Sequence, residues 1–440
     1  MELKVSASHK KTLDIIMFFA LFGTSIVGAE VFSISLNKIA ILPLILFLFI
    51  NCRKFSINRV NKYHLIWYIV CIISIFIGCM RINIDLYHFG YTNSLINYLI
   101  SIFCFYFPLL LLLPNYYYQD ELCDSFNRML ILTCRIQMVW AIAQFILYNT
   151  IKFDLNNVVL VQMLGGLGIH SWTFILWDFG HPVLKITGLN AEGACLGYYL
   201  LLGIIFDKNK LLKIAYIITI LISMQRSAFI GLFIIIIYYV FFIKENRQKL
   251  LSKKVLEYII FLIVFLVFFY YIKNQIPVIN DYFNKLVQRF DFINNNEGDL
   301  STSSSRHILY IPYSIITLVG IDPLVTLFGI GPRASGVALA MNIENLPELN
   351  LNAHMLRDVW AVECDFAEIL LGSGLFGTFA CYYNYIFNYK SNDIDFKLYI
   401  VLLILIGFMY DFSHLTITHL LLMFAYLNKK SYSNKKTNNK

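Results

Sequence analysis

Apolar runs long enough to cross a lipid bilayer follow one another from Leu13 to Leu427, and that succession constrains the fold more than any motif. Their approximate limits are 13–30, 36–50, 64–80, 94–113, 129–148, 186–206, 211–225, 227–243, 255–272, 362–388, 397–411 and 414–428. Of the 440 residues, 59% are hydrophobic and 14% charged, against about 25% charged in an ordinary soluble domain. The mean hydropathy is +0.67. The expected fold is therefore all-α, a polytopic membrane bundle of about 12 transmembrane helices. Residues 1–272 are expected to form about nine spans, 273–361 a large loop, 362–428 the last spans and 429–440 a polar tail.

The net charge of +8 does not point to nucleic acid, because the Lys and Arg residues sit in short clusters between apolar runs. With a cytoplasmic N-terminus, the clusters Arg53–Lys62, Lys208–Lys213, Lys244–Lys254 and Lys429–Lys440 are all cytoplasmic. That assignment puts about 23 of the 35 Lys and Arg inside, as the positive-inside rule requires. Both termini are then cytoplasmic and Lys273–Ala361 lies on the outer side. Lys4, Lys10 and Lys11 before the run at Leu13 look like a signal peptide, but no A-x-A cleavage pattern follows, so this run reads as the first span. A smaller outer loop, Asn149–Lys185, carries Trp172 and Trp177 as interfacial anchors. The nine cysteines include no C-x-x-C pair and none lies in the large loop, which excludes a disulfide framework or Cys-ligated metal there.

The large loop is the one long stretch not dominated by spans. Its apolar patches, Ile308–Val319 and Leu324–Ile330, are interrupted by Pro312, Pro323 and Pro332. They read as short helices on or just above the membrane. Asn294–Ser305 is a polar turn region. The loop also concentrates Arg289, Arg306, His307, Arg333, His354, Arg357 and Asp358.

Six features are candidates for chemistry. Glu192, in Gly188-Leu-Asn-Ala-Glu192, opens a span. The helix dipole favours a carboxylate there, but an acid entering an apolar span is costly and usually functional. Arg226 sits in a short turn between two spans, where an arginine either snorkels to the interface or holds an anion. Arg306 follows Ser301–Ser305, and Arg333 ends the tight turn Gly329-Ile-Gly-Pro-Arg333. The planar fork of arginine matches phosphate oxygens, so converging arginines would hold a pyrophosphate. His354 shares a helix face with Arg357 and is a candidate general base. Asp365 and Glu368 share a face just inside a span that continues through Gly372, Gly374 and Gly377. They need cationic partners, and the loop arginines are the obvious ones. No H-x-x-x-H, H-E-x-x-H, Asp-x-Asp or P-loop pattern is present, so no metal or nucleotide cofactor is expected.

These features in this order resemble the O-antigen polymerase and ligase superfamily of bacterial inner membranes. The resemblance rests on Ile186-Thr-Gly-Leu-Asn-Ala-Glu192, a hairpin with Met224-Gln-Arg226-Ser-Ala, a further span, an outer loop with Arg306 and Gly329-Ile-Gly, and the acidic, glycine-rich Glu363–Gly377. It covers the C-terminal 260 residues or so, and order and topology carry it more than any one motif. It departs at Lys185, where members often have arginine, and at Gln225-Arg226, where Ser-Arg is common. It implies metal-independent glycosyl transfer without a cofactor on the outer face of the inner membrane. Donor and acceptor would both be oligosaccharide on undecaprenyl diphosphate, with membrane lipid around the tails and a chain-length regulator as a partner. Arg226, Arg306 and Arg333 would stabilise the leaving diphosphate, and His354, Asp365 or Glu368 would serve as base, with Glu192 nearby. Polymerase is the expected activity, ligase transfer to lipid A–core the alternative. A flippase is the rival of another class, and would call for internal repeats, of which there are none.

A reporter active only in the periplasm should be active when fused at Asn295 and silent after Lys430. The reverse pattern would overturn the topology.

Overall fold

In a chain this apolar the backbone amides have no solvent to bond, so helices are the default. The computed structural model describes residues 6–27, 30–31, 34–52, 55–81, 95–163, 175–178, 181–184, 186–190, 193–223, 225–242, 303–342, 362, 364–390 and 393–438, and these are predominantly helical. The helices are α1 (Ala7–Thr24), α2 (Leu42–Ile50), α3 (Lys62–Arg81), α4 (Leu95–Asn115), α5 (Gln119–Ile151), α6 (Gly193–Phe206), α7 (Lys210–Ser223), α8 (Arg226–Ile237), α9 (Ser303–Gly320), α10 (Pro323–Phe328), α11 (Ser335–Met341), α12 (Asp365–Tyr389), α13 (Ile394–Ile406) and α14 (Thr416–Asn438). The strands among the described residues form two short antiparallel hairpins, Glu30–Val31 with Ile34–Ser35 and Ile175–Asp178 with His181–Leu184. Trp177 falls in the second, with its side chain outside the described set, and Trp172 lies outside the described residues altogether.

Four helices, α3, α4, α5 and α12, are long and apolar enough to cross a bilayer. The others that fall on expected spans are shorter. The run expected at 186–206 becomes helical only at Gly193, because Gly188 takes a left-handed φ of +63° and Thr187–Asn190 forms a turn. The run expected at 397–411 ends at Ile406. The run at 255–272 lies outside the described residues. Pro312 does not break its segment, since α9 continues through it.

The helix ends fall into two layers. In one, His9 meets Tyr116 at 2.8 Å, Cys52 pairs with Tyr116, Lys208 bonds Asp395 at 2.8 Å and Asn428 bonds Asp393 at 2.9 Å. This layer also holds Lys62, Lys210, Lys213, Lys390 and Lys397, and is called the basic layer below. In the opposite layer, Gln137 bonds the Ser25 carbonyl at 2.8 Å and Arg81 lies 3.8 Å from Asp322. Successive helices thus alternate in direction.

Helix length then decides where the irregular backbone goes. α6 and α7 have 14 residues each and α13 has 13, or about 20 Å of rise against an apolar bilayer thickness of about 30 Å. Starting from the basic layer, they stop short of the opposite surface. The turn at 187–190 is buried, and the 407–415 segment is buried at Gly407, Phe412, Ser413 and Leu415 and partly buried between them. The remaining space is filled by α9, α10 and α11. They do not lie on top of the bundle but pack into it, with Tyr313, Leu318, Val325, Ile330, Val337 and Leu339 buried against Ile75, Leu95, Leu370 and Leu371.

α12 is broken to receive them. Gly374 has φ +63° and ψ −167°, so the carbonyls of Leu371 and Gly372 lose the amides they would bond in a regular helix. The extended Gly329–Gly331 segment supplies replacements: Ile330 N–H donates to Leu371 O at 3.1 Å and Gly331 N–H to Gly372 O at 2.9 Å. Ser74 of α3 donates to the Phe328 carbonyl on the other side. The approach requires glycine on both sides, since a Cβ on Gly374 would lie 2.5 Å from the Leu327 carbonyl and one on Gly329 would lie 2.5 Å from Gly372.

Gly374→Ala should therefore undock the 329–333 turn. The left-handed backbone alone costs about 1–2 kcal/mol, and the clash adds to it. A lower thermal transition in detergent and faster proteolysis within 329–342 are expected; wild-type values for both would refute the docking.

Candidate active site

Three irregular segments meet where that docking occurs. The 329–335 turn brings Arg333, held at a left-handed φ of +66°, over the first turn of α12. Its backbone N–H donates to one oxygen of Glu368, and the Ser335 hydroxyl donates to the other. Ser335 is itself fixed, accepting from Val362 N–H at 2.9 Å. Glu368 is thus a clamp with both oxygens engaged, and it closes the turn onto α12. The 407–415 segment arrives from the other side. Phe366 N–H donates to Gly407 O at 3.0 Å, Asp365 N–H to Tyr410 O at 3.2 Å, and Asp365 accepts from Ser413 N–H at 2.8 Å. These bonds use the first, otherwise unpaired, amides of α12.

Asp411 stands at the centre. Its carboxylate pairs with the Arg333 guanidinium, faces the Asp365 carboxyl, and lies 2.9 Å from His414 Nδ1. Burial would raise the Asp411 carboxyl, but the charges of His414 and Arg333 outweigh it and hold the group below the usual carboxylate range. Burial likewise works against the Arg333 charge, and Asp411 and Glu368 more than offset it, so the guanidinium stays charged. Above these groups opens a narrow cleft. One wall is polar, with Arg333, Glu368, Ser413 and His414; the other carries Trp67 of α3 and Tyr98 of α4. His414 lines the cleft with its Nδ1 in ion-pair range of Asp411.

Of the residues singled out in the sequence, the structure brings Arg333, Asp365 and Glu368 together. Arg226 does not join them: it begins α8, at a place set by Gln225 packing against Gly193, and does not line the cleft. Arg306 lies in the first turns of α9, with its side chain outside the described set. Glu192, Arg289, His354, Arg357 and Asp358 lie outside the described residues. Sequence reasoning missed Asp411 and His414, although an acid and a histidine between two apolar runs are a visible signal. It also missed Gln137 and Gln144, buried seven residues apart on α5. Gln144 Oε1 accepts from Thr187 and Gly188 N–H at 3.2 Å each, and Gln137 Oε1 from Leu189 N–H at 3.0 Å, which fixes the turn before Glu192. Among the described residues no group of three or more His, Cys, Asp or Glu is placed to hold a metal ion. No protein-family model matches the chain, and no curated protein is significantly similar to it.

Asp411→Asn should leave the buried Arg333 guanidinium without its counter-charge and lower stability by roughly 1–3 kcal/mol. Because the native carboxyl ionises below its ordinary value of about 4, the deficit should be full at neutral pH and narrow only as pH falls below that value. Equal thermal transitions for the two proteins at pH 7 would contradict the pairing.

Proposed function

We propose that this chain is a polymerase of lipid-linked surface polysaccharide, joining oligosaccharide units carried on undecaprenyl diphosphate. In this reading it crosses a bacterial inner membrane about 12 times, with both termini and the basic layer in the cytoplasm and residues 273–361 in the periplasm. The observation that carries the reading is the cleft: an aromatic wall of Trp67 and Tyr98 facing Arg333 and the Asp411–His414 pair, sunk below the ends of the long helices. Aromatic faces and carboxylates suit sugar rings and hydroxyls, and a cleft at that depth suits a substrate carried on a lipid.

In the proposed reaction the acceptor hydroxyl gives its proton to His414 Nε2 as its oxygen bonds to the anomeric carbon of the donor. The bond from that carbon to the diphosphate oxygen breaks with its electron pair. The new negative charge is met by Arg333 and, from the same loop, Arg306. Asp411 keeps His414 in the required tautomer, and Glu368 holds the turn that presents Arg333. Asp365 and His354 become secondary candidates for the base, and Glu192, at the end of the turn that α5 fixes, a candidate for orienting substrate. A chain-length regulator would be the protein partner.

Deleting the protein should give lipopolysaccharide that runs as core plus one repeat, with the ladder gone. Bare core with retained lipid-linked polymer would mean a ligase instead, and an unchanged ladder would remove both. Arg333→Ala, Arg306→Ala and His414→Gln should copy the deletion at normal expression. If Arg306→Ala and Arg333→Ala both kept the ladder, the diphosphate site would be refuted.

A further inference from the structure

The cleft is smaller than any sugar. Its free space is about 20 Å³, enough for one water molecule and far short of a pyranose ring. Toward the layer that holds Arg81 it is capped by the extended segment Gly329–Pro332. Pro332 lines the cleft, and Gly331 lies against Ile75 and Leu95, one helical turn nearer that layer than the cleft residues Cys71 and Tyr98. A ligand larger than water therefore needs this wall to move.

The segment is built as a strap with anchored ends. At one end the Phe328 carbonyl accepts from Ser74 of α3, and at the other Glu368 accepts from the Arg333 N–H. Between these anchors the strap is held by Ile330 N–H to Leu371 O at 3.1 Å, by Gly331 N–H to Gly372 O at 2.9 Å, and by the Ile330 side chain, which is 0% exposed. Releasing the strap would strand the Leu371 and Gly372 carbonyls in an apolar bundle, unless α12 replaced the lost donors. The chain has the means. If Gly374 turns from φ +63° to a helical φ, the amides of Leu375 and Phe376 come into i→i+4 register with those two carbonyls. Glycine takes both conformations at little cost. Two arrangements then satisfy the same carbonyls with different donors, which makes the contact a two-state element.

We propose that Gly329–Pro332 is a gate over the cleft, closed when α12 is broken at Gly374 and open when α12 straightens. What it admits rests on the reading above, a lipid-linked glycan. The gate itself rests on backbone pairing, and its test measures motion rather than glycosyl transfer, so the two can fail separately.

Opening can be read at Cys71, which lines the cleft and is 1% exposed. Cys134 and Cys381 are 0% exposed and do not line the cleft, so they report global opening. The full chain in phospholipid nanodiscs is treated with a sulfonated maleimide, a reagent larger than the closed cleft, and each cysteine is followed by mass spectrometry. In the wild type, Cys71 should react more than about tenfold faster than either reference, as a local opening cheaper than the global one requires. Ile330→Ala removes the buried side chain that holds the strap, and Gly374→Ala favours the straight helix. Each should raise the Cys71 rate by a further factor of about ten or more, with Cys71 still ahead of both references. A wild-type Cys71 that reacts no faster than the references would overturn the gate, and so would a Cys71 rate indifferent to both substitutions. If a substitution unfolds the chain, all three cysteines react together and the wild-type comparison decides.

Discussion

The break in α12 at Gly374 is the interaction on which the rest depends. A carbonyl without a donor inside an apolar bundle is expensive, and here two are exposed at once. They are paired by the backbone of Gly329–Gly331, so the break and the loop stabilise each other and neither is sustainable alone. Once that contact forms, Arg333 has nowhere to go but over the first turn of α12. Glu368, one turn before Gly372, is then in reach of the Arg333 amide and of Ser335. The positions of Asp365, Glu368 and Arg333 follow from one piece of backbone pairing rather than from their own attraction.

Much of this was legible in the sequence, and what was not has identifiable causes. Hydropathy found α3, α4, α5 and α12 because each is apolar over a full bilayer thickness. It overextended α6 and α13, since Ile186, Leu189 and Phe408 are as apolar as the helices they adjoin. What ends those helices is a left-handed Gly188 in one case and, in the other, the bonds that draw 407–413 onto α12. The glycines at 329, 331, 372 and 374 were recognisable as turn or packing signals, but not as two halves of one contact. Pro312 was read as an interruption, yet neighbouring elements keep α9 helical across it. Asp411 and His414 were absorbed as the abutting end residues of two expected spans, 397–411 and 414–428. Arg226 was grouped with Arg333 on chemistry alone, and packing at Gly193 and Gly197 places it elsewhere.

Depth governs the chemistry of the cleft. Helices of about 20 Å leave room for irregular segments within the bundle, so the polar groups at 333, 365, 368, 411 and 414 sit below the ends of α3 and α4. Water is scarce there and charges act more strongly on one another than at a surface. The same depth brings the floor of the cleft, at Trp67, within ring contact of His64 and His419, about four helical turns below the end of α3 at Arg81.

The charge balance finally narrows what the cleft can take. Three carboxyls, Asp365, Glu368 and Asp411, meet one guanidinium. Such an excess cannot stay fully ionised at low dielectric, and the Asp365–Asp411 contact is the natural place for a shared proton. With Arg333 already paired to Asp411 and its amide to Glu368, this side of the turn asks for hydroxyl donors rather than for another anion. A diphosphate would be held only on the far face of the Arg333 guanidinium, where a second cation must join it. The charge balance thus divides the site at Arg333, with the carboxylates, Trp67 and Tyr98 on one side and the outer face of the guanidinium on the other.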